Sequence, residues 1–282
     1  MSRPAPPVVD FYSRHPISEA QIVAALRRGG KDLERLAPED LYDFDQDHYG
    51  GLEAVEALGR RAGIDAASRV LDVCAGLAGP ARFMARRWGA RVTGIDLNPE
   101  RAAGARRLSA AVGLDGLVRM VRGDAQVLPF RAGAFTAVVS QEGLLHVPDK
   151  AEALAECRRV LLPGGRIAFS DWIATARLSD RERRRLDEWM AAVTLQSIEG
   201  YKALLAGAGF IAVGAEDLSI EWIAILRRRL EMFRGLRADS VARLGQARYD
   251  EYDQLYTFFV GLVEAGRLGG ARFSATAGPE TF

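Results

Sequence analysis

Residues 69–82 read RVLDVCAGLAGPAR. An apolar run leads into the small-residue loop 74–79, and a helical pattern begins at Pro80, so the stretch predicts a strand, a tight turn and a helix start. A second apolar run, 91–95, is followed by Asp96. A loop of small residues lets a ligand approach the backbone, and an acidic side chain after the next strand can bind a ribose diol. We therefore predict a nucleoside pocket at the carboxyl ends of parallel strands.

The rest of the chain alternates strand and helix patterns. We predict core strands over 70–74, 91–96, 117–122, 134–140 and 165–171, with helices over 80–88, 98–112 and 149–161, and a helix stop and turn at 161–165. Flanking helices are expected over 18–29, 52–63, 179–192 and 197–208, a strand over 210–218, one or two long helices over 219–265, and a last strand over 271–276. This order predicts an α/β protein with a Rossmann-like, doubly wound sheet, mostly parallel with a last antiparallel strand.

We divide the chain into four parts. They are an N-terminal arm and lid (1–50), the core (51–218, with a helical insertion at about 176–208), a helical substrate or lid insertion (219–268), and the final strand and tail (269–282). The start is expected to be a mobile arm at least as far as Pro7. The acidic and aromatic linker that ends in Gly50 and Gly51 is interpreted as a lid, with an anchored surface loop as the alternative.

Composition narrows the class of protein. The 282 residues are 49% hydrophobic and 27% charged, which is typical of soluble globular proteins. A net charge of +1 gives no electrostatic reason to expect nucleic acid or an anionic membrane as a partner. The two cysteines, Cys74 and Cys157, have a spacing that suggests neither a metal site nor a disulfide framework. With no long apolar run and no signal core, we expect a cytoplasmic protein without a metal.

Short motifs follow the first loop in a fixed order. They are Asp72 to Gly79, Asp96, Gly123-Asp124-Ala125, Leu128-Pro129-Phe130, Ser140-Gln141-Glu142 with His146, and the LLPGG of 161–165. Together they resemble the class I S-adenosylmethionine-dependent methyltransferases over residues 70–172. The DQDHYGG of 45–51 and the helical C-terminal segment look most like the small-molecule enzymes of the glycine/sarcosine/dimethylglycine and phosphoethanolamine type. Cys74 and Ala78 stand where the family usually has glycine.

The resemblance implies that S-adenosyl-L-methionine is bound and S-adenosyl-L-homocysteine is released. The residues it assigns to the cofactor are Cys74, Ala75, Gly76, Asp96, Leu97, Asp124, Ala125 and Gln141. Asp96 would accept two hydrogen bonds from the ribose diol, and Asp124 one from the adenine amino group. Aspartates that merely end a strand or a turn are the alternative.

Catalytic and substrate candidates lie nearby. Glu142 and His146 are four residues apart and would share one face of a helix. His146 is the general-base candidate because its reference pKa is near neutral, with a structural histidine as the alternative. His48 and Tyr49 of the linker and Trp172 at a strand end are candidate substrate contacts. Aromatic residues in the C-terminal helices suit a core face at least as well.

We weigh several functions. The first is methyl transfer to a small molecule, with a small amine nitrogen as the favoured acceptor and oxygen or carbon of a natural-product scaffold as the alternative. The second is a non-methylating reaction such as cyclisation, suggested by the altered first loop. An NAD-linked dehydrogenase ranks last because the loop lacks a full G-x-G-x-x-G. We expect a small-molecule substrate and a monomer or homodimer.

Overall fold

A seven-stranded sheet forms the centre of the computed structural model, which describes residues 7–13, 15 and 17–279. Its strands are β1 (Arg69–Val73), β2 (Arg91–Asp96), β3 (Val118–Arg122), β4 (Phe135–Gln141), β5 (Leu161–Ala174), β6 (Phe210–Asp217) and β7 (Leu268–Ala277). The strand order is β3-β2-β1-β4-β5-β7-β6. β1 to β5 pair in parallel, whereas β7 is antiparallel to both β5 and β6. The predicted fold class is confirmed.

Helices cover both faces of this sheet. They are α1 (Pro7–Ser13), α2 (Glu19–Arg28), α3 (Gly51–Ala62), α4 (Gly79–Trp88), α5 (Pro99–Ala111), α6 (Lys150–Val160), α7 (Asp180–Met190), α8 (Ile198–Gly207), α9 (Ser219–Gly235), α10 (Arg237–Leu244) and α11 (Gln246–Glu264), with 3₁₀ turns at Pro38–Leu41 and Leu144–His146. Within the described residues, no helix is both long and apolar enough to span a membrane.

Two sequence expectations differ from the observed elements. Segment 219–265 forms three helices rather than one or two, because the chain leaves helical geometry at Leu236 and again at Gly245. Helix α1 was not predicted; it follows the expected arm, whose first six residues lie outside the described ones.

At 161–165 the expected helix stop is confirmed, because α6 ends at Val160, but the expected separate turn is wrong. β5 begins at Leu161, and its register against β4 shifts between Phe135 and Ala137. Gly164 has a φ of 76°, which lets the strand bend before regular pairing resumes at Arg166. The segment is therefore an irregular start of the strand rather than a separate turn.

Side chains of the central strand alternate between two buried layers. Val70 of β1 belongs to the cluster formed with α2 to α5, while Leu71 and Val73 belong to the cluster on the opposite face with α6 and α8. Strands buried on both faces are typical of parallel sheets with helical crossovers. A third, aromatic cluster that includes Trp172 and Phe259 joins α7, α9 and α11 beyond the end of β5.

A buried ion pair fixes the linker that precedes α3. Arg82 of α4 donates to Asp45 at 2.8 Å, and their side chains are 1% and 0% exposed. Arg82 also donates to Ser109 Oγ at 3.2 Å. A Cβ at Gly79 would lie 2.1 Å from the Asp45 carbonyl oxygen, so the linker crosses the loop after β1 at a distance that only glycine permits.

Candidate active site

A cavity of about 900 Å³ opens at the carboxyl ends of β1, β2 and β4. The strand order reverses between β1 and β4, and open α/β sheets bind ligands at such a reversal. Eleven predicted site residues line the cavity: His48, Cys74, Ala75, Gly76, Asp96, Leu97, Asp124, Ala125, Gln141, Glu142 and His146. The fold therefore gathers the cofactor candidates and both catalytic candidates around one space.

The loop between β1 and α4 has a left-handed backbone at three positions. The φ angles are 59° at Cys74, 55° at Gly76 and 61° at Ala78. A side chain in this region costs a modest amount of free energy, so the buried surroundings of Ala78 hold a conformation that glycine would adopt freely. A Cβ at Gly76 would lie 3.1 Å from Arg101 Nη2. Both residues that stand at the expected glycine positions, Cys74 and Ala78, thus adopt a left-handed backbone.

Asp96 is held rigidly at the tip of β2. Its Oδ2 accepts the N–H of Gly76 at 2.8 Å, and its Oδ1 accepts the N–H of Asn98 at 2.8 Å. Burial raises the pKa of this carboxyl, while those two backbone hydrogen bonds and the charge of Arg101 lower it. Each carboxylate oxygen has a second acceptor site, so the group can still accept hydrogen bonds from a ligand in the cavity.

Asp124 lies at the far side of the same cavity. It follows Gly123 and forms an Asx turn, since its Oδ1 accepts the N–H of Gln126 at 2.9 Å. Ala125 lines the cavity beside it. Among the described residues, Asp124 Oδ2 has a 3.3 Å contact to the Gln126 amide.

Asp72 is a cavity residue to which the sequence assigned no role. Its side chain lines the cavity, it is 3% exposed, and Oδ2 has no hydrogen-bond partner among the described residues. Burial, and then the nearby charge of Asp96, raise the pKa of this carboxyl to about 8. An unpartnered buried carboxyl oxygen beside a cavity is suited to a cationic ligand group.

His48 and Gln141 belong to a polar chain that anchors the linker. The amide Nε2 of Gln141 donates to His48 Nδ1 at 3.1 Å, and His48 Nε2 donates to Gln46 Oε1 at 2.9 Å. Gln46 Nε2 in turn donates to Asp45 Oδ1 at 2.7 Å. Nδ1 also lies 3.3 Å from the carbonyl oxygen of Tyr49. Burial lowers the pKa of His48 to about 4, so the ring is neutral at pH 7. His48 is therefore occupied in holding the linker to the end of β4.

The sequence predicted that Glu142 and His146 share one face of a helix, but in the structure they do not. Glu142 has a φ of 49° directly after β4, and the 3₁₀ turn begins only at Leu144. Its Oε2 accepts the N–H of Tyr49 at 2.8 Å, and its Oε1 contacts Ser170 Oγ at 3.0 Å. Burial raises the pKa of Glu142 to about 8, although these hydrogen bonds favour the ionised form.

His146 presents one ring nitrogen for proton transfer. Nδ1 lies 2.8 Å from the carbonyl oxygen of Ala191, so it carries the proton and donates it there. Nε2 is then an acceptor, and the hydroxyl of Tyr12 donates to it at 2.9 Å. Burial lowers the pKa of His146 to about 4, which keeps the ring neutral at pH 7. Both His146 and Tyr12 line the cavity.

Tyr49 and Trp172 are not among the residues that line the cavity. Tyr49 packs against Trp222 with ring centroids 4.8 Å apart, and Trp172 stacks on Phe259 at 4.2 Å. They are 8% and 5% exposed, so their side chains form an aromatic core behind the site rather than its surface. Of the two, Tyr49 touches the site through its backbone N–H, which binds Glu142.

Comparison with known proteins identifies the family. A family model described as "Methyltransferase domain" matches residues 71–169. The 27-O-demethylrifamycin SV methyltransferase of Amycolatopsis mediterranei is 30% identical over 188 residues, which cover 66% of this chain and 69% of that protein. The chain belongs to the S-adenosylmethionine-dependent methyltransferase family.

Other members of the family share its core. The glycine/sarcosine/dimethylglycine N-methyltransferase of Actinopolyspora halophila is 31% identical over 165 residues, covering 58% of this chain and 29% of that protein. The chain spans between 29% and 62% of the length of four of the curated relatives it matches.

Solved structures of other proteins show the same fold. Phosphoethanolamine N-methyltransferase 2 of Haemonchus contortus, in complex with phosphomonomethylethanolamine and S-adenosylhomocysteine, has a TM-score of 0.77 at 22% identity, over 96% of this chain and 60% of that one. The [4+2]-cyclase SpnF has a TM-score of 0.75 at 20% identity, over 99% of this chain and 100% of that one. At these identities the likeness concerns the fold alone.

Tyr12, Asp47 and Arg101 are among the other cavity residues to which the sequence assigned no role. Tyr12 lies on the unpredicted helix α1, and Asp47 and Arg101 form an ion pair of 2.8 Å beside the glycine loop. Burial opposes ionisation of Asp47, but the charges of His15 and Arg101 outweigh it and lower its pKa. The acidic composition of the linker was a sequence signal for Asp47. No sequence pattern indicated that Tyr12 contacts His146.

Proposed function

We propose that this chain transfers the methyl group of S-adenosyl-L-methionine to a small molecule, with an amine nitrogen as the acceptor. The observation that carries this proposal is the acceptor nitrogen Nε2 of His146, which borders the same cavity as Asp96 and Asp124. A nucleophile that carries a proton needs such a base, whereas the cofactor side needs carboxylates for its hydroxyl and amino groups.

The residues present fit the cofactor. Asp96 would bind the ribose hydroxyls, and Asp124, with Ala125, would bind the adenine edge. Asp72, whose Oδ2 lacks a partner among the described residues, offers a buried acceptor for the cationic amino group of the methionine portion. When bound, S-adenosyl-L-methionine supplies a sulfonium-activated methyl group, so the protein needs only to orient the acceptor, exclude water and manage one proton.

Tyr12 and His146 would manage that proton. The Tyr12 hydroxyl is hydrogen-bonded to His146 Nε2, and both residues line the cavity, so Tyr12 could pass a proton from the acceptor to Nε2, or move aside and let the acceptor bind Nε2 directly. His146 Nδ1 stays bound to the Ala191 carbonyl throughout, which keeps the ring orientation fixed. Glu142 would bind the amine, because an ammonium group beside this carboxyl favours its ionised form.

We also propose that the linker before α3 acts as the roof of the site, and that the helices of 219–268 complete the acceptor pocket. The anchoring of Asp45 and His48 supports the first part. The cytoplasmic location and the monomeric or homodimeric state expected from the sequence stay predictions.

The proposal is tested with methyl-labelled S-adenosyl-L-methionine. The protein is incubated with panels of small amines, of hydroxylated and carbon-nucleophile scaffolds, and of polyenes, and product and S-adenosyl-L-homocysteine are measured by mass spectrometry. We expect labelled amine and equal S-adenosyl-L-homocysteine. His146→Gln should lose turnover but keep cofactor affinity in calorimetry, whereas Asp96→Ala should lose that affinity.

Other results would redirect the proposal. Labelled hydroxylated or carbon products, with no labelled amine, would assign oxygen or carbon as the acceptor. Cyclised polyene without S-adenosyl-L-homocysteine would assign the chain to the activity for which SpnF is named. A wild-type protein that does not bind the cofactor would refute methyl transfer altogether.

A further inference from the structure

Lys150 is a buried cation outside the cavity lining. It begins α6 and is 3% exposed. Its Nζ donates to the carbonyl oxygen of Leu144 at 2.6 Å, to that of Thr194 at 2.9 Å, and to the Thr194 hydroxyl oxygen. All three ammonium protons therefore bind two short segments, residues 144–147 and 191–194.

His146 belongs to the first of these segments, and its ring is hydrogen-bonded to the second. The N–H of Thr194 donates to the Leu145 carbonyl at 3.2 Å, and the Thr194 hydroxyl donates to the Val147 carbonyl at 2.7 Å. The carbonyl of Ala191, in the second segment, accepts the Nδ1 proton of His146. Any displacement of 191–194 from 144–147 would break the contact that fixes the tautomer of His146.

A second layer of buried polar groups lies around Lys150. Asp171 and Tyr201 are both 0% exposed, and the Tyr201 hydroxyl donates to Asp171 Oδ2. Asp171 Oδ1 has no hydrogen-bond partner among the described residues, and Lys150 Nζ lies 5.9 Å from the Tyr201 ring centroid. Burial raises the pKa of Asp171 to about 6, and the charge of Lys150 opposes that rise. The cation thus satisfies carbonyl groups on one side and balances a buried carboxyl on the other.

We propose that Lys150 is a positioning residue, which ties segment 191–194 to segment 144–147 and so holds His146 with Nε2 facing the cavity. The inference rests on the proposed function, because it gives His146 the role of proton acceptor. A buried ammonium is costly, and an apolar side chain of similar length could fill the same space. Its place beneath the catalytic candidate therefore points to orientation rather than to stability alone.

Lys150 also acts on His146 through its charge. Burial is the main cause of the lowered pKa of His146, and the positive charges of Lys150, His15 and Arg101 contribute in the same direction. The hydrogen bond to Ala191 opposes them. Removal of the Lys150 charge should therefore raise the pKa of His146 from about 4 toward the ordinary 6.5, an effect that a purely structural contact would not have.

The test compares Lys150→Met with the matched surface variant Lys202→Met, whose lysine pairs with Glu199 and is 39% exposed. Imidazole ¹⁵N NMR is practical because the chain has three histidines. We expect Lys150→Met to mix the two tautomers of His146 and to raise its pKa. The kcat should fall roughly 100-fold, as for a reacting group displaced by about 1 Å, with little change in cofactor KM.

Thr194→Val keeps the test decisive if Lys150→Met does not fold, because it removes one hydroxyl and should shift the same His146 resonances. Wild-type His146 resonances and kcat in both variants would overturn the proposal, and so would a lower kcat with unchanged His146 resonances. If the wild-type protein methylates no acceptor, the proposed function fails, but the NMR comparison still decides whether Lys150 orients His146.

Discussion

Replacing Glu142 with glutamine should make the protein more stable at alkaline pH. Burial raises the pKa of Glu142 from 4.5 to about 8. In this range the folded state binds a proton that the unfolded state has released, so wild-type stability falls as pH rises from about 4.5 and levels off above about 8. Glutamine is uncharged and should be free of this loss.

The magnitude follows from the two pKa values. Between pH 6 and pH 8, the raised pKa of Glu142 should lower the free energy of unfolding by about 2 kcal/mol. Solvent in the cavity should screen roughly half of this loss, leaving about 1 kcal/mol. Glutamine can keep both hydrogen bonds, because its oxygen accepts the N–H of Tyr49 and its amide donates to Ser170 Oγ. The substitution therefore removes the charge with little change in packing.

Urea unfolding at pH 6 and pH 8 measures the effect. The free energy of unfolding of the wild type should drop relative to that of Glu142→Gln by about 1 kcal/mol. Glu152→Gln, at an exposed position on α6, is the control and should show no such difference. Parallel pH dependence of wild type and Glu142→Gln would show that Glu142 is ionised at neutral pH and would refute the reasoning.

Three further predictions concern the site and its roof. Tyr12→Phe removes the hydroxyl that is hydrogen-bonded to His146 Nε2. The kcat should therefore fall by about 10²-fold in steady-state assays, while cofactor affinity stays within twofold. An unchanged kcat would exclude the proton relay through Tyr12. Asp72→Asn should weaken cofactor binding in calorimetry by roughly 10- to 150-fold, since a charge-assisted hydrogen bond is worth about 1.5–3 kcal/mol, and full affinity would exclude that contact. Arg82→Met leaves Asp45 buried without its cation, so urea unfolding should show a loss of about 3–5 kcal/mol, and a loss below 1 kcal/mol would mean that the roof relaxes.

The sequence predicted what depends on neighbours along the chain. The loop 74–79 and Asp96 could be placed because strand, turn and strand end follow one another locally, and parallel pairing then brings both to one edge. The irregular start of β5 at Gly164 was missed because a helix stop and a bend in a strand have the same glycine and proline signature.

Contacts between segments that are distant in the chain could not be predicted from local sequence patterns. Trp172 occupies a strand end, but it stacks on Phe259 of α11 and so belongs to the core. Tyr12 meets His146 only because α1 returns to the cavity. Lys150 was assigned no role from the sequence, because its three acceptors lie in segments whose positions depend on the whole fold.

Two segments border the cavity, the linker before α3 and helix α1, and they differ in how easily they can separate from it. Opening the linker side would break the Asp45–Arg82 pair and strand buried charges, at about 3–5 kcal/mol. None of the seven residues of α1 is buried. Its contacts include the hydrogen bond of Tyr12 to His146, the Arg101 guanidinium 4.7 Å from the Tyr12 ring, and Asn98, which contacts Val9 and Ser13 at 3.3 Å. Amide hydrogen exchange should therefore be much faster in α1 than around Asp45, and small molecules should enter and leave past α1 while the linker stays in place.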